Sequence, residues 1–140
     1  TTLAKDTRVH TAGDIEEYPV VASDVIYEGA AVGEDDNGYA QPLVAGQPFL
    51  GFADRKADNS SGSAGDETVR VKTRGKVRLT VAGATAISAN ERPAVYASDD
   101  GTFTLTSTDN SLIGYVSRWL ASTDCVVEFD ALAVKAALQA

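Results

Sequence analysis

The 140-residue sequence contains no methionine, one cysteine, one histidine and one tryptophan. A single cysteine, Cys125, rules out an intrachain disulfide and fits a chain that matures in a reducing compartment. It lies in DCVVEF, a strand-like run, where a small buried apolar residue is expected. A Ser-His-Asp set would have to use His10, and a lone histidine in a polar N-terminal stretch reads as a solvated side chain. There is no G-x-S-x-G and no phosphate-binding G-x-x-x-x-G-K-[ST]; TRGKV lacks the glycine spacing. No apolar run approaches the ~18 residues of a membrane span. The start, TTLAKDTRVH, is polar and has no apolar core, so no secretory signal is expected. Without a Met, the initiator is expected to have been removed.

What is present describes one ordinary globular domain: 44% hydrophobic and 23% charged residues. A chain of this length buries roughly 68% of its unfolded surface and needs no staples. The net charge of -8 makes it a poor general binder of DNA or anionic membranes. The charge is uneven: residues 1–67 carry 13 acidic and 4 basic side chains, residues 68–92 carry 1 and 6. The basic excess sits in TVRVKTRGKVRLTV, where Arg70, Lys72, Arg74, Lys76 and Arg78 alternate with Val69, Val71, Thr73, Val77 and Leu79. This alternation reads as one strand with an apolar and a cationic face.

Residues 1–20 read as an N-terminal arm, because their apolar residues show no sustained period. Residues 21–140 read as one β-domain. The turn signals GEDDNG, VAGQP, ADNSSGSAGD, SDDG and STDNS recur every 8–12 residues and separate short runs rich in Val, Thr, Tyr and Phe. ADNSSGSAGD is expected to be a flexible loop. AGATAIS is expected to make a turn or two of helix, and DALAVKAALQA a short C-terminal helix capped by Asp130. The fold class expected is all-β: a small antiparallel barrel or sandwich with an N-terminal arm and a short C-terminal helix.

Residues 30–53 and 93–116 align without gaps at an offset of 63. Val32 pairs with Val95, Asp36 with Asp99, Gly38 with Gly101 and Gly51 with Gly114; FLGFA answers LIGYV. Each unit reads as strand, turn, strand, loop, strand. Gly38 and Gly101 are expected at positive φ, and Gly51 and Gly114 at a bulge or a close backbone approach. A further strand, ETVRVKTRG or DCVVEFDAL, follows each unit. The domain is therefore expected to contain two related β-units around one core.

Candidate chemistry is sparse. With Gly38 at the sixth position of a calcium loop, positions 1 and 12 fall on Gly33 and Val44, which are not ligands. No spacing singles out a carboxylate pair for glycoside hydrolysis. Trp119 and the tyrosines could line a sugar site, or pack in a core or interface. The cationic run could be a solvated face, a phosphate contact or a contact with acidic groups of a partner. It contains no stacking aromatics, so nucleic acid is not expected. No enzyme, metal or cofactor is expected.

The order of VRVKTRGKVRLTV and AISANERPAVYASDDGTFTLTSTDNSLIGYVSRWLASTDCVVEFDAL resembles the phage capsid cement, or head-decoration, proteins. The matching residues are Val95 and Tyr96, Asp99 to Gly101, Leu112 to Val116, and Val126 to Phe129. ANERPAVY departs from the family, which has a glycine before that strand. The resemblance covers about residues 20–130 and implies a non-enzymatic homo-oligomer, expected as a trimer, on the outer surface of a phage head. Its partner would be the major capsid protein, and it would stabilise the shell. An arm carrying Leu3, Lys5, Arg8, Val9, His10 and Ile15 would reach the shell. The interface candidates are Arg70, Lys72, Arg74, Lys76, Arg78 and Trp119. The alternative is a carbohydrate-binding or adhesion module on a virion.

Overall fold

The computed structural model describes residues 14–139, with side chains to Lys135. The described chain is mostly strand: β1 (Ile15–Pro19), β2 (Asp24–Ile26), β3 (Ala31–Glu34), β4 (Ala40–Pro42), β5 (Phe49–Ala53), β6 (Ala57–Asn59), β7 (Thr68–Lys72), β8 (Arg74–Ala82), β9 (Ala94–Ala97), β10 (Phe103–Thr104), β11 (Ser111–Ala121) and β12 (Asp124–Asp130). Helix α1 (Ala86–Asn90) lies between β8 and β9, and α2 (Ala131–Gln139) follows β12.

The chain forms two five-stranded units of the same design. The first is a sheet in the order β1-β7-β5-β3-β4, and the second a closed barrel in the order β10-β8-β12-β11-β9. β3, β4 and β5 map onto β9, β10 and β11 at the offset of 63. The correspondence extends beyond the stretch visible in sequence. β1 pairs with β7 through Tyr18↔Val69 and Glu16↔Val71, and β8 pairs with β12 through Leu79↔Cys125 and Val77↔Val127. Shifting β1 by 61 and β7 by 56 residues superimposes the two ladders pair for pair. The second barrel closes by a parallel pairing, Phe103↔Val81. In the first unit the equivalent residues, Ala40 and Val20, form a single parallel bridge, so the sheet curls almost to closure.

Because side chains alternate across a strand, each unit lines its interior with every second residue. Val20, Val32, Ala40, Ala53, Val69 and Val71 fill the first. Val81, Val95, Phe103, Val116, Cys125 and Val127 are their counterparts in the second. Cys125 is fully buried where the first unit has Val69, which is the apolar role expected of it.

All four phenylalanines of the chain meet where the units join. Phe52 of β5 lies 4.7 Å from Phe129 and 6.0 Å from Phe103, and Phe49 lies 6.3 Å from Phe129 (centroid distances). Most of these contacts are edge-to-face, the arrangement ring quadrupoles prefer, worth about 0.5–1.5 kcal/mol per pair beyond area burial. Ser111 adds a polar tie across the seam: its hydroxyl donates to the Gln47 carbonyl (2.6 Å) and accepts from the Gly46 N–H (3.0 Å). α2 packs over the same seam with Val134 buried, and Asp130 Oδ1 accepts from the Leu132 and Ala133 N–H groups as its cap. Thr85 caps α1 through a reciprocal pair of bonds with Ser88.

Four expectations change. Ile15–Pro19, assigned to the arm, is strand β1; its apolar residues show no period because the two glutamates are adjacent and only Ile15, Tyr18 and Pro19 are half-buried. TVRVKTRGKVRLTV is two strands of different units, broken at Thr73, whose N–H donates to the Asp14 carbonyl. The loop ADNSSGSAGD is pinned: Asn59 is buried, and its Nδ2 donates to the Val21 and Ser63 carbonyls at 3.0 and 2.9 Å. Its first three residues, Ala57 to Asn59, form strand β6 against β2, and Ala57 is buried in the first unit's core. Gly38 adopts φ +85°, as expected, but Gly101 does not take positive φ; there Asp99 Oδ1 accepts the Gly101 N–H and turns the chain through its side chain.

Candidate functional site

The residues expected to reach a partner, Trp119 apart, fall into three groups. Leu3, Lys5, Arg8, Val9 and His10 lie outside the described residues. Ile15 is in the sheet, paired in register with Lys72. The five cations divide between β7 and β8, and the division decides which of them are neutralised.

On β7, Arg70 and Lys72 converge on one carboxylate. Arg70 Nε is 3.4 Å and Lys72 Nζ 3.9 Å from Asp54, whose backbone N–H also donates to the Arg70 carbonyl. Arg70 Nε is buried and its approach to Asp54 falls outside hydrogen-bond geometry, so the contact is electrostatic. On β8, Arg78 donates to Asp124 Oδ2 at 2.9 Å, and Thr80 donates to the other oxygen at 3.1 Å. These two bonds, with the Arg78 charge, hold the Asp124 carboxyl below the usual carboxylate range. Three of the five cations therefore have counter-charges within the chain.

Arg74 and Lys76 differ. They pair in register with Asp130 and Glu128 of β12, yet among the described residues no carboxylate lies within 4 Å of either. Asp130 is engaged instead in capping α2. Next to Glu128 on β11 stands Tyr115, 49% exposed. Lys76, Arg92, Tyr115, Ser117 and Glu128 line an open hollow of about 470 Å³ on the outside of the second barrel. Lys76 thus gains an aromatic neighbour that the linear run lacks.

The sequence carried one signal for this hollow. FLGFA and LIGYV differ at the position of Phe52 and Tyr115 by a phenol hydroxyl, which marks the second copy as facing water. Arg92 had no such mark; it is held at φ +59° in the turn before β9.

A second hollow, of about 350 Å³, lies beside β1 and is lined by Glu16, Tyr18, Glu34, Leu50, Leu132 and Lys135 among others. Burial, together with the Glu16 and Glu34 charges, pushes the Tyr18 phenol above its ordinary range. Both carboxylates line this hollow.

Trp119 is half-buried against the core, and its Nε1 donates to the Ser122 carbonyl at 2.8 Å. The indole is committed to the β11–β12 turn. Among the described residues no group of three or more His, Cys, Asp or Glu side chains could hold a metal ion. No helix of the described chain is long and apolar enough to cross a membrane. Comparison with protein-family models, curated proteins and solved structures gives no match to this chain.

Proposed function

We propose that the chain is a non-enzymatic head-decoration protein that binds the outer surface of a phage capsid and stabilises it. The observation carrying this reading is the order of the family-like motifs along one barrel. The valine-rich run falls on β8, the small-residue segment on α1, and Val95-Tyr96 on β9. Leu112 to Val116 fall on β11, and Val126 to Phe129 on the strand that pairs with both β11 and β8. Successive motifs are therefore successive elements of one closed unit. The major capsid protein is the partner, and the chain acts as a homo-oligomer, a trimer in the leading form of the reading. The segment before β1 reaches the shell and is ordered there by strand addition.

Cosedimentation with undecorated heads of the encoding phage tests the reading. The full chain pellets with heads to saturation, and a chain beginning at Asp14 folds but pellets weakly. A full-length chain that stays in the supernatant at every head concentration overturns the proposal. Undiminished pelleting of the shortened chain removes the arm from it.

A further inference from the structure

The two units are built alike, but their equivalent outer positions meet different fates. Phe52 is covered by the second unit and is 5% exposed. Tyr115, its counterpart at the offset of 63, is 49% exposed. Nothing in the described chain covers the Tyr115 face.

Two features fit this face to an acidic, partly apolar surface. Its cations, Lys76 and Arg92, have no ion-pair partner within 4 Å among the described residues and outnumber the one carboxylate of the same lining, Glu128. Its centre is a tyrosine, which offers a large contact area at low entropic cost. The first unit presents such a surface. Residues 15–72 carry 11 acidic and 4 basic side chains, against 7 and 5 in residues 74–130. Beside β1, Glu16 and Glu34 flank Leu50 and Leu132, and Leu132 is 77% exposed. Lys135 on that rim is the one cation there among the lining residues named.

We infer that the Tyr115 face of one copy docks on the β1 face of a second copy. Tyr115 seats on Leu50 and Leu132, while Lys76 and Arg92 face Glu16 and Glu34. The two surfaces are different patches of the same chain, so the contact is head-to-tail and generates a ring when the rotation closes. Opposite charges across it make association salt-dependent. The inference rests on the reading that the chain self-associates and names the two surfaces that do so.

Sedimentation velocity with charge reversal on each side tests it. The full-length protein is expected to associate at low ionic strength and to weaken at least tenfold in 0.5 M salt, a concentration at which the screening length is only about 4 Å. Lys76→Glu with Arg92→Glu, and separately Glu16→Lys with Glu34→Lys, are expected to be monomeric. Mixed in equal amounts, the two variants should form a mixed complex, because both contacts between unlike copies then pair opposite charges, whereas like copies repel. Tyr115→Ser, which leaves every charge in place, should also weaken association and guards against misfolding of the charge variants. A wild type that is monomeric at every concentration overturns the inference, as does unchanged association of either variant or failure of the mixture to assemble. Duplex DNA binding lost in the Lys76/Arg92 variant, with association unchanged, would assign the face to nucleic acid instead. A monomer that still pellets with heads would overturn this contact and leave the decoration reading standing.

Discussion

Gly51 and Gly114 occupy the same place in two copies of one unit. A Cβ on Gly51 would run into the Lys72 carbonyl oxygen, and a Cβ on Gly114 into that of Glu128. Each glycine sits beside a register shift, between Val32 and Gly33 in one unit and between Leu112 and Gly114 in the other. The close approach lets β5 reach β7, and β11 reach β12, past the bulge. Gly114→Ala should destabilise the protein by about 1–3 kcal/mol through overpacking alone. Gly51→Ala should cost more, since Gly51 also holds φ +131°. Gly101→Ala is the control: nothing lies within 4 Å of its Cβ position, and its effect should stay within about 0.5 kcal/mol. Urea denaturation of the three variants reads the order directly; equal effects at Gly101 and Gly114 would contradict it.

The phenylalanine seam joins the two units. Phe52 is packed on both sides by Phe49 and Phe129 and touches Phe103. Phe52→Ala is expected to cost about 3–5 kcal/mol. Because the lost contacts join the units, the variant's unfolding should broaden or split into two steps, monitored by Trp119 fluorescence for the second unit and by far-ultraviolet dichroism for the whole. A single sharp transition with little loss of stability would show that the seam is not what couples them.

Acid should act through the carboxyls that hydrogen bonds hold low, Asp124, Asp99 and Asp58. Hydrogen bonds from Arg78 and Thr80 hold Asp124 low, and the Gly101 N–H does the same for Asp99. A carboxyl with a depressed folded pKa favours the folded state above its unfolded value, about 3.9 for aspartate, and loses that contribution as pH falls through the lower folded value. Stability should therefore fall as pH drops below about 4. Asp124→Asn should show a shallower fall and converge with the wild type at the acid end. A constant offset between the two at every pH would contradict the linkage.

Cys125 should be chemically silent in the folded protein. Its side chain is buried, and burial together with the Asp124 carboxylate pushes the thiol above its ordinary range. A thiol reagent at pH 8 is expected to label it at once in guanidinium and only at the rate of unfolding in buffer. Fast stoichiometric labelling of the native protein would show that the barrel interior opens.

Much of the fold could be read from the repeat, because its conserved features are the ones that geometry compels. Turns need Asp or Gly, and the bulges need Gly51 and Gly114, so residues 30–53 still resemble residues 93–116. The flanking strands carry no such constraint. β1 and β8 are equivalent, yet Glu16 and Glu17 stand where the second unit has Val77 and Arg78; of the inward-facing residues only Val20 and Val81 agree. Exposed positions can take either charge at little energetic cost, so the match is lost outside the core. The same freedom hid the division of the cationic run at Thr73: alternation continues across the junction because both strands keep their valines inward. The Tyr115 hollow was illegible for another reason. Lys76, Arg92 and Tyr115 come from three separate segments, and only the pairing of β12 between β8 and β11 brings them together.

The claim that the chain stabilises a phage head is tested most directly by heat. DNA-filled heads lacking decoration can be warmed with a DNA-binding dye outside, alone or saturated with the full-length protein. The account predicts that saturation raises the temperature of DNA release by several degrees, and that a variant unable to pellet with heads gives no rise. Heads saturated with the bound protein that release DNA at the undecorated temperature would contradict it.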